Sequence, residues 1–74
     1  MTSFIEALKL MKSGNVMQDT NTSYLYKYVG DDIFFSHQVG INSYFQPIKW
    51  NVTTFEYLFD TNFVEYSYEK NPVL

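Results

Sequence analysis

The sequence predicts a single α+β domain: an N-terminal helix packed on a small antiparallel sheet of three to five strands, with a short second helix before the last strand. Two observations carry this prediction. At two places a hydroxyl residue stands three positions before a glutamate: Ser3 before Glu6, and Thr53 before Glu56. This spacing is the capping-box signature of a helix start. Between and after these points the sequence is rich in tyrosine and alternates as β-strands do.

The first helix is predicted from Phe4 to about Ser13. Its apolar residues recur at the i, i+3, i+4 and i+7 positions of one helical face; they are Phe4, Ala7, Leu8 and Met11. Gly14 follows the last turn, where a left-handed C-cap is expected. A helix with one apolar stripe predicts that this face packs on the sheet.

A strand is predicted at residues 23–29, after a polar stretch in which Val16–Met17 is a candidate short strand. Strict alternation places Tyr24, Tyr26 and Tyr28 on one face, and Leu25, Lys27 and Val29 on the other. Residues 30–32 predict a hairpin turn, and Ile33–Phe35 is the returning strand.

The second half of the chain predicts an edge strand, a helix and a last strand. A loop at residues 37–40 precedes a strand from about Ser43 to Trp50, which Pro47 restricts to an edge or a bulge because proline donates no ladder hydrogen bond. The second helix is predicted from Thr54 to about Asp60, with Thr53 as its cap and Asn62 as a left-handed stop. Residues 63–68 predict the final strand.

Length and composition exclude several kinds of site. A chain of 74 residues predicts one domain, and residues 69–74 are expected to form a frayed tail. It has no cysteine and a single histidine, His37, which excludes disulfides and thiolate metal sites and argues against a histidine-based one. We therefore expect no metal and no other cofactor.

The charge balance argues against nucleic acid and membrane as partners. Five lysines and no arginine stand against eight carboxylates, a net charge of −3. Arginine is preferred for bidentate phosphate and guanine contacts, so duplex nucleic acid is not an expected partner. No apolar run approaches the ~20 residues that span a bilayer, and residues 1–3 lead into the helix cap without an export signal. We expect a cytoplasmic protein.

Catalysis has little support in the sequence. His37 has no cysteine near it, and Ser36 is merely its chain neighbour. The three glycines, at positions 14, 30 and 40, are isolated, so there is no glycine-rich phosphate loop. We therefore predict that the protein is not an enzyme.

The tyrosine strand allows two interpretations. Three tyrosines on one face can stack on a base or an adenine ring, each stack contributing ~1–3 kcal/mol. Alternatively, they cover the first helix or a subunit partner. For each tyrosine taken singly, we favour this second interpretation. Trp50 stands just ahead of the second helix, so it is either packed or part of a nucleotide site. The helix amides near Thr53 and Thr54 are a candidate anion site.

The two ends of the chain resemble a known family of small phage proteins, the Thoeris anti-defence type-two-like domain. At the N-terminus the similarity lies in Phe4-x-x-Ala7-Leu8-x-x-Met11-Lys12-x-Gly14, followed by the aromatic-aliphatic run Tyr24-Leu25-Tyr26. Near the C-terminus it lies in Trp50, Thr54, Leu58, Asn62-Phe63 and Val64 at similar spacings. Where the family has an Asp-Trp pair, this chain has Asn62-Phe63.

The resemblance implies a phage anti-defence sponge in the host cytoplasm: an oligomer that sequesters a cyclic nucleotide or cyclic ADP-ribose-type immune signal without cleaving it. The ligand-binding residues expected on this basis are Tyr24, Tyr26, Trp50, Thr54, Asn62 and Phe63. Aromatic rings would stack on the ligand, Thr54 and the helix amides would hold phosphate, and Asn62 would bond a ribose or base edge.

The alternative function is a small acidic interaction module that binds and blocks a host protein, since tyrosine-rich surfaces suit interface cores. Both functions predict a homo-oligomer, a dimer or a dimer of dimers. A chain with seven Phe, seven Tyr and one Trp, and with no disulfide or metal, gains stability by burying aromatic area against a copy of itself. The strand at residues 24–28 and the edge at Pro47 are the expected contacts.

Overall fold

The computed structural model describes residues 2–37 and 44–66, which form two helices and one antiparallel sheet of five strands. The elements in chain order are α1 (Phe4–Lys12), β1 (Val16–Asp19), β2 (Leu25–Val29), β3 (Asp32–Ser36), β4 (Gln46–Pro47), α2 (Val52–Phe59) and β5 (Phe63–Tyr66). The predicted α+β class is confirmed, including the short helix before the last strand. Residues 38–40, 43 and 67–74, for which loop, strand and tail were predicted, lie outside the described residues.

The sheet has the order β4-β3-β2-β1-β5, so the last strand pairs with the first. β1 is longer than the predicted Val16–Met17 because β5 pairs with all four of its residues, from Val16 with Tyr66 to Asp19 with Phe63. Local sequence gave no sign of this extension, since it depends on a strand that lies more than forty positions away. β1 is therefore an interior strand.

The first helix starts and stops as predicted. Ser3 is its N-cap, and the Ser3 hydroxyl accepts from the amide of Glu6. Ser13 is the C-cap, and Gly14 follows with φ 101°, a left-handed conformation that glycine adopts without a Cβ penalty.

The predicted start of the second helix is wrong by two residues. The cap is Asn51, not Thr53: its side chain accepts from the amide of Thr54 at 2.9 Å, and the helix begins at Val52. Asparagine is among the strongest N-cap residues and threonine is weaker, and the extended backbone of Asn51 suits the cap position. Thr53 consequently lies inside the first turn.

β2 begins at Leu25, two residues later than the predicted strand, and Ser23 instead has a positive φ of 66°; the predicted tyrosine face does pack against the core. Tyr26 is buried within the core, and Tyr24 and Tyr28 are half-buried against it. β2 lies between β3 and β1, so the prediction that it forms an edge contact with a second copy is wrong. Pro47 does lie on an edge strand, β4, as its missing N–H requires.

The core fills the space between the helices and this face of the sheet. Its buried members are Phe4, Ala7, Met11, Met17, Tyr26, Ile33, Leu58 and Phe63. Phe63 is fully buried; its ring meets Tyr26 edge-on at 5.6 Å between centroids and lies 5.9 Å from that of Phe4. Among the described residues, neither helix is long and apolar enough to cross a membrane.

The position of the second cap can be tested by replacing each candidate with alanine. We expect Asn51→Ala to lower the free energy of unfolding by about 1 kcal/mol, because it removes the acceptor for the Thr54 amide. Thr53→Ala should change it by less than about 0.5 kcal/mol. Urea denaturation measures both; an equal or larger loss for Thr53→Ala would contradict the assigned cap.

Candidate functional site

A groove of about 570 Å³ opens between α2 and the end of the sheet formed by β2, β3 and β4. We call it the tyrosine groove. Its floor is Tyr24, Tyr26 and Phe35, one wall is Thr53, Thr54, Tyr57 and Leu58 of α2, and the other wall is Gln46, Pro47, Ile48 and Lys49, with Thr22 at one end. Its volume falls in the range of roughly 300–1,000 Å³ that is typical of small-molecule sites.

The floor is aromatic because of the strand register. Tyr26 lies directly opposite Phe35 on neighbouring strands, and their rings are stacked with centroids 6.4 Å apart. Tyr24 lies 6.2 Å from Phe35, and His37 stacks on Tyr24 at 4.6 Å. Because Tyr26 is only 4% exposed, the ring surface open to a ligand belongs chiefly to Tyr24 and Phe35, which are half-buried.

Beneath the floor, the buried carboxylate of Asp19 organises the site. One oxygen, Oδ2, accepts from the hydroxyl of Tyr26 at 3.2 Å and from the hydroxyl of Tyr57. The other, Oδ1, accepts from the amides of Asn21 at 2.6 Å and Thr22 at 3.3 Å. These four donors match the roughly four lone pairs of a carboxylate, so Asp19 is satisfied as a structural anchor and has no acceptor position left for a substrate proton.

Sequence reasoning missed Asp19. It ends β1 and its carboxylate bonds the backbone two and three residues on, an Asx-type turn. The signal in the sequence was an aspartate followed by Thr20-Asn21-Thr22 at the end of a strand. That pattern predicts a local turn, whereas the contacts with Tyr26 and Tyr57 depend on the fold.

The network keeps both tyrosine hydroxyls protonated. Burial raises the pKa of Tyr26 far above its ordinary value, and the neighbouring Asp19 carboxylate raises it further. The pKa of Tyr57 is also raised, by burial first and by its hydrogen bond to Asp19. Both phenols therefore remain hydrogen-bond donors to Asp19 even near pH 10, where an ordinary tyrosine ionises.

The rim of the groove is polar and weakly cationic. Among the described residues that line it, Lys49 alone carries a charge, and Thr53 and Thr54 contribute hydroxyls. The amide of Thr54, expected to hold phosphate, is already bonded to Asn51. An anionic group in the groove would meet Lys49 and the threonine hydroxyls instead. Sequence reasoning did not select Lys49, although it stands close before the helix.

The structure brings together three of the six expected ligand-binding residues, since Tyr24, Tyr26 and Thr54 line the groove. Trp50 lies outside it: the indole N–H donates to Asp32 Oδ1 at 3.1 Å and the ring stacks on Phe55.

Phe63 and Asn62 also lie outside the groove. The expectation that Phe63 stacks on a ligand is wrong, because its ring is fully buried in the core. Asn62 is exposed just before β5, and its carbonyl accepts from both the amide and the hydroxyl of Thr20. Neither residue lines the groove, because the pairing of β5 with β1 directs this segment away from it; Asn62 is not placed to bond a ligand there.

Loss of the Asp19 carboxylate should strongly destabilise the fold. We expect Asp19→Ala to lower the free energy of unfolding by about 3 kcal/mol or more, because four donors lose their acceptor and two of them are tyrosine hydroxyls at buried or half-buried sites. The exposed Asp60→Ala is the control, expected within about 0.5 kcal/mol of the parent. Urea denaturation that finds the two variants equal would contradict the anchoring role.

The raised pKa values of Tyr26 and Tyr57 predict a loss of stability at high pH. In the unfolded chain a tyrosine ionises near its ordinary pKa of 10.0. The folded-state pKa of each tyrosine lies above this value. The contribution of the protonated tyrosines to the free energy of unfolding is therefore complete below about pH 10, and it is lost as the pH rises from 10 through the folded-state pKa. Urea midpoints measured above pH 10 should fall less steeply for Tyr26→Phe than for the parent, and an identical slope would contradict the assignment.

Compared with protein-family models, with curated proteins and with solved structures, the chain matches none of them. The resemblance to the phage anti-defence family therefore stays a prediction from the sequence motifs.

Proposed function

We propose that the protein binds and sequesters a nucleotide-derived signal in the tyrosine groove, without converting it. The observation that carries the proposal is the groove itself: a floor with the half-buried rings of Tyr24 and Phe35, and a rim with threonine hydroxyls and Lys49. Aromatic faces accept any base by stacking, while hydroxyls and an ammonium suit ribose and phosphate. The motif resemblance adds the biological setting, a phage anti-defence sponge acting in the host cytoplasm.

The charge of the site restricts which ligands can bind. Lys49 can neutralise about one negative charge, and the chain as a whole carries −3. A ligand with one base and a single phosphate, such as a cyclic mononucleotide, fits this balance best. A pyrophosphate such as that of cyclic ADP-ribose must leave part of its charge in water at the open mouth of the groove. Affinity should therefore fall as ligand charge rises, most steeply at low salt.

The proposal predicts saturable binding of an unaltered ligand. We expect a rise in melting temperature with cyclic AMP, cyclic ADP-ribose or a cyclic dinucleotide, because a ligand that binds only the folded state stabilises it. Chromatography should recover the ligand unchanged. No shift with any of the three would contradict ligand sequestration; turnover would assign the protein to enzymes instead.

Two substitutions should locate the ligand in the groove. Tyr24→Leu removes a stacking ring and should weaken binding roughly 5- to 150-fold, the equivalent of the ~1–3 kcal/mol of one stacked base. Lys49→Gln should weaken it less and reduce its salt dependence. Lys9→Gln on the exposed side of α1 makes the same charge change away from the groove and is the matched control; calorimetric titration that finds it equal to Lys49→Gln would contradict the site.

A second candidate function is the binding and blocking of a host protein. The specific observation that favours it is a row of exposed rings outside the tyrosine groove, formed by Trp50, Phe55 and Phe59. Capture of one stoichiometric partner from host lysate, together with no small-molecule shift, would favour this function over the first.

We also propose that the protein works as a homo-oligomer, as its composition predicts. In the described part of the chain, the outer strands of the sheet are β4 and β5. Backbone groups on an outer strand can pair with another chain, so these strands replace β2 as the expected contacts. Light scattering that finds a monodisperse mass of 8.8 kDa, that of one chain, would contradict the proposal.

A further inference from the structure

A second groove lies on the opposite side of α2 from the tyrosine groove. It has a volume of about 270 Å³ and opens between α1 and α2, at the end of the sheet where β2 turns into β3. Its apolar lining includes Leu8, Tyr28, Trp50, Phe55 and Phe59, and its remaining lining includes two adjacent carboxylates. We call it the aromatic groove.

The rings of the aromatic groove form a continuous row. Trp50 and Phe55 are stacked with centroids 4.8 Å apart, Phe55 and Phe59 follow at 6.5 Å, and Phe59 meets Phe4 edge-on at 5.4 Å. The three outer rings stay open to water, with Trp50 39%, Phe55 44% and Phe59 56% exposed. Exposed aromatic side chains grouped in this way mark interaction sites, and tryptophan is the side chain most enriched at binding hot spots.

One end of the row is acidic. Asp32 accepts from the indole N–H of Trp50 at 3.1 Å and from the amide of Ile33 at 2.8 Å, so its carboxylate is held beside the row. Asp31 is exposed next to it. Among the described residues that line the groove, these carboxylates are the only charged groups; Lys12 lies in the neighbouring hollow, where it lines the wall together with Asp31.

This combination selects one kind of occupant. Phe55 and Phe59 lie one turn apart on α2 and Trp50 lies just before its cap, so the row can receive the apolar i, i+3/i+4, i+7 side chains of an amphipathic helix laid into the groove. Two carboxylates at the end of the row complement a lysine or arginine, and the open ring faces also attract such a cation. A second copy of this chain is less suited to a symmetric contact here, because it would present the same acidic lining to the groove.

We propose that the aromatic groove is a docking site for a cationic amphipathic helical segment of a partner protein. The apolar side of that helix packs on Trp50, Phe55 and Phe59, and one of its lysines or arginines pairs with Asp31 and Asp32. The proposal gives the second candidate function a definite surface and partner chemistry, and it does not depend on a ligand in the tyrosine groove.

The single tryptophan of the chain reports directly on this site. The probe is a synthetic helical peptide of leucine and lysine with leucines at i, i+3, i+4 and i+7; the comparison peptide carries glutamate in place of lysine. We expect the lysine peptide to shift Trp50 fluorescence saturably, and the glutamate peptide to bind at least tenfold more weakly. Equal binding of the two peptides, or no change in fluorescence with either, would overturn the proposal.

Variants separate specific docking from general attraction to an acidic protein. Phe55→Ser removes a central ring and should weaken the lysine peptide about 30-fold or more, the cost of a hot-spot anchor. The double variant D31N/D32N retains oxygen acceptors for Trp50 and Ile33 but loses both charges. It should weaken binding of the lysine peptide about 3- to 10-fold. E56Q/E65Q loses two exposed carboxylates that do not line the groove, and should leave binding unchanged; an equal loss in it would overturn the site.

Two further measurements keep the outcome clear. Circular dichroism and melting temperature establish that each variant is folded. If Phe55→Ser is not folded, the isosteric variant D31N/D32N provides the test of the site. Sedimentation tests the rival occupant: a dimer that the Phe55→Ser change dissociates would assign the groove to a second copy and overturn the proposal. Nucleotide-induced thermal shifts should be unaffected in D31N/D32N, so failure at this groove is distinguishable from failure at the tyrosine groove.

Discussion

The hydrogen bonds of the Asp19 carboxylate are the constraint on which the rest of the site depends. One side chain at the end of β1 holds the following turn, the neighbouring strand through Tyr26, and α2 through Tyr57. A buried carboxylate is tolerated only when its lone pairs are satisfied, so these three parts of the chain must take their positions together. The tyrosine groove is the space that remains above this network, between the strand and the helix.

The short second helix separates two surfaces of different chemistry. With 3.6 residues per turn, Thr54, Tyr57 and Leu58 fall on the side of the tyrosine groove, while Phe55 and Phe59 fall on the side of the aromatic groove. The Asn51 cap fixes where the helix begins, and therefore how its residues are distributed between the two sides. A helix of eight residues is too short to be stable alone, so its orientation is set by contacts with Asp19 and the core.

The distribution of charge explains why the two grooves call for different partners. The chain is acidic overall, yet the tyrosine groove contains a lysine and the aromatic groove contains two aspartates. Stacking of bases in the first and packing of apolar anchors in the second use the same aromatic residue types, so aromatic composition alone does not distinguish a ligand from a protein. The nearest charged residue does distinguish them, because Lys49 favours an anion in the tyrosine groove and the two aspartates favour a cation in the aromatic groove.

The sequence by itself determined the features that depend on near neighbours: the Ser3 cap and Gly14 stop of α1, the tyrosine face of β2, the α+β class. It misplaced the second cap because the capping-box spacing of Thr53 and Glu56 was followed, although Asn51 is intrinsically the stronger cap residue. The pairing of β5 with β1 decided that Phe63 belongs to the core. Asp19 became the centre of the site through contacts seven and thirty-eight positions away. Such contacts come from packing of distant segments, which local pattern does not encode.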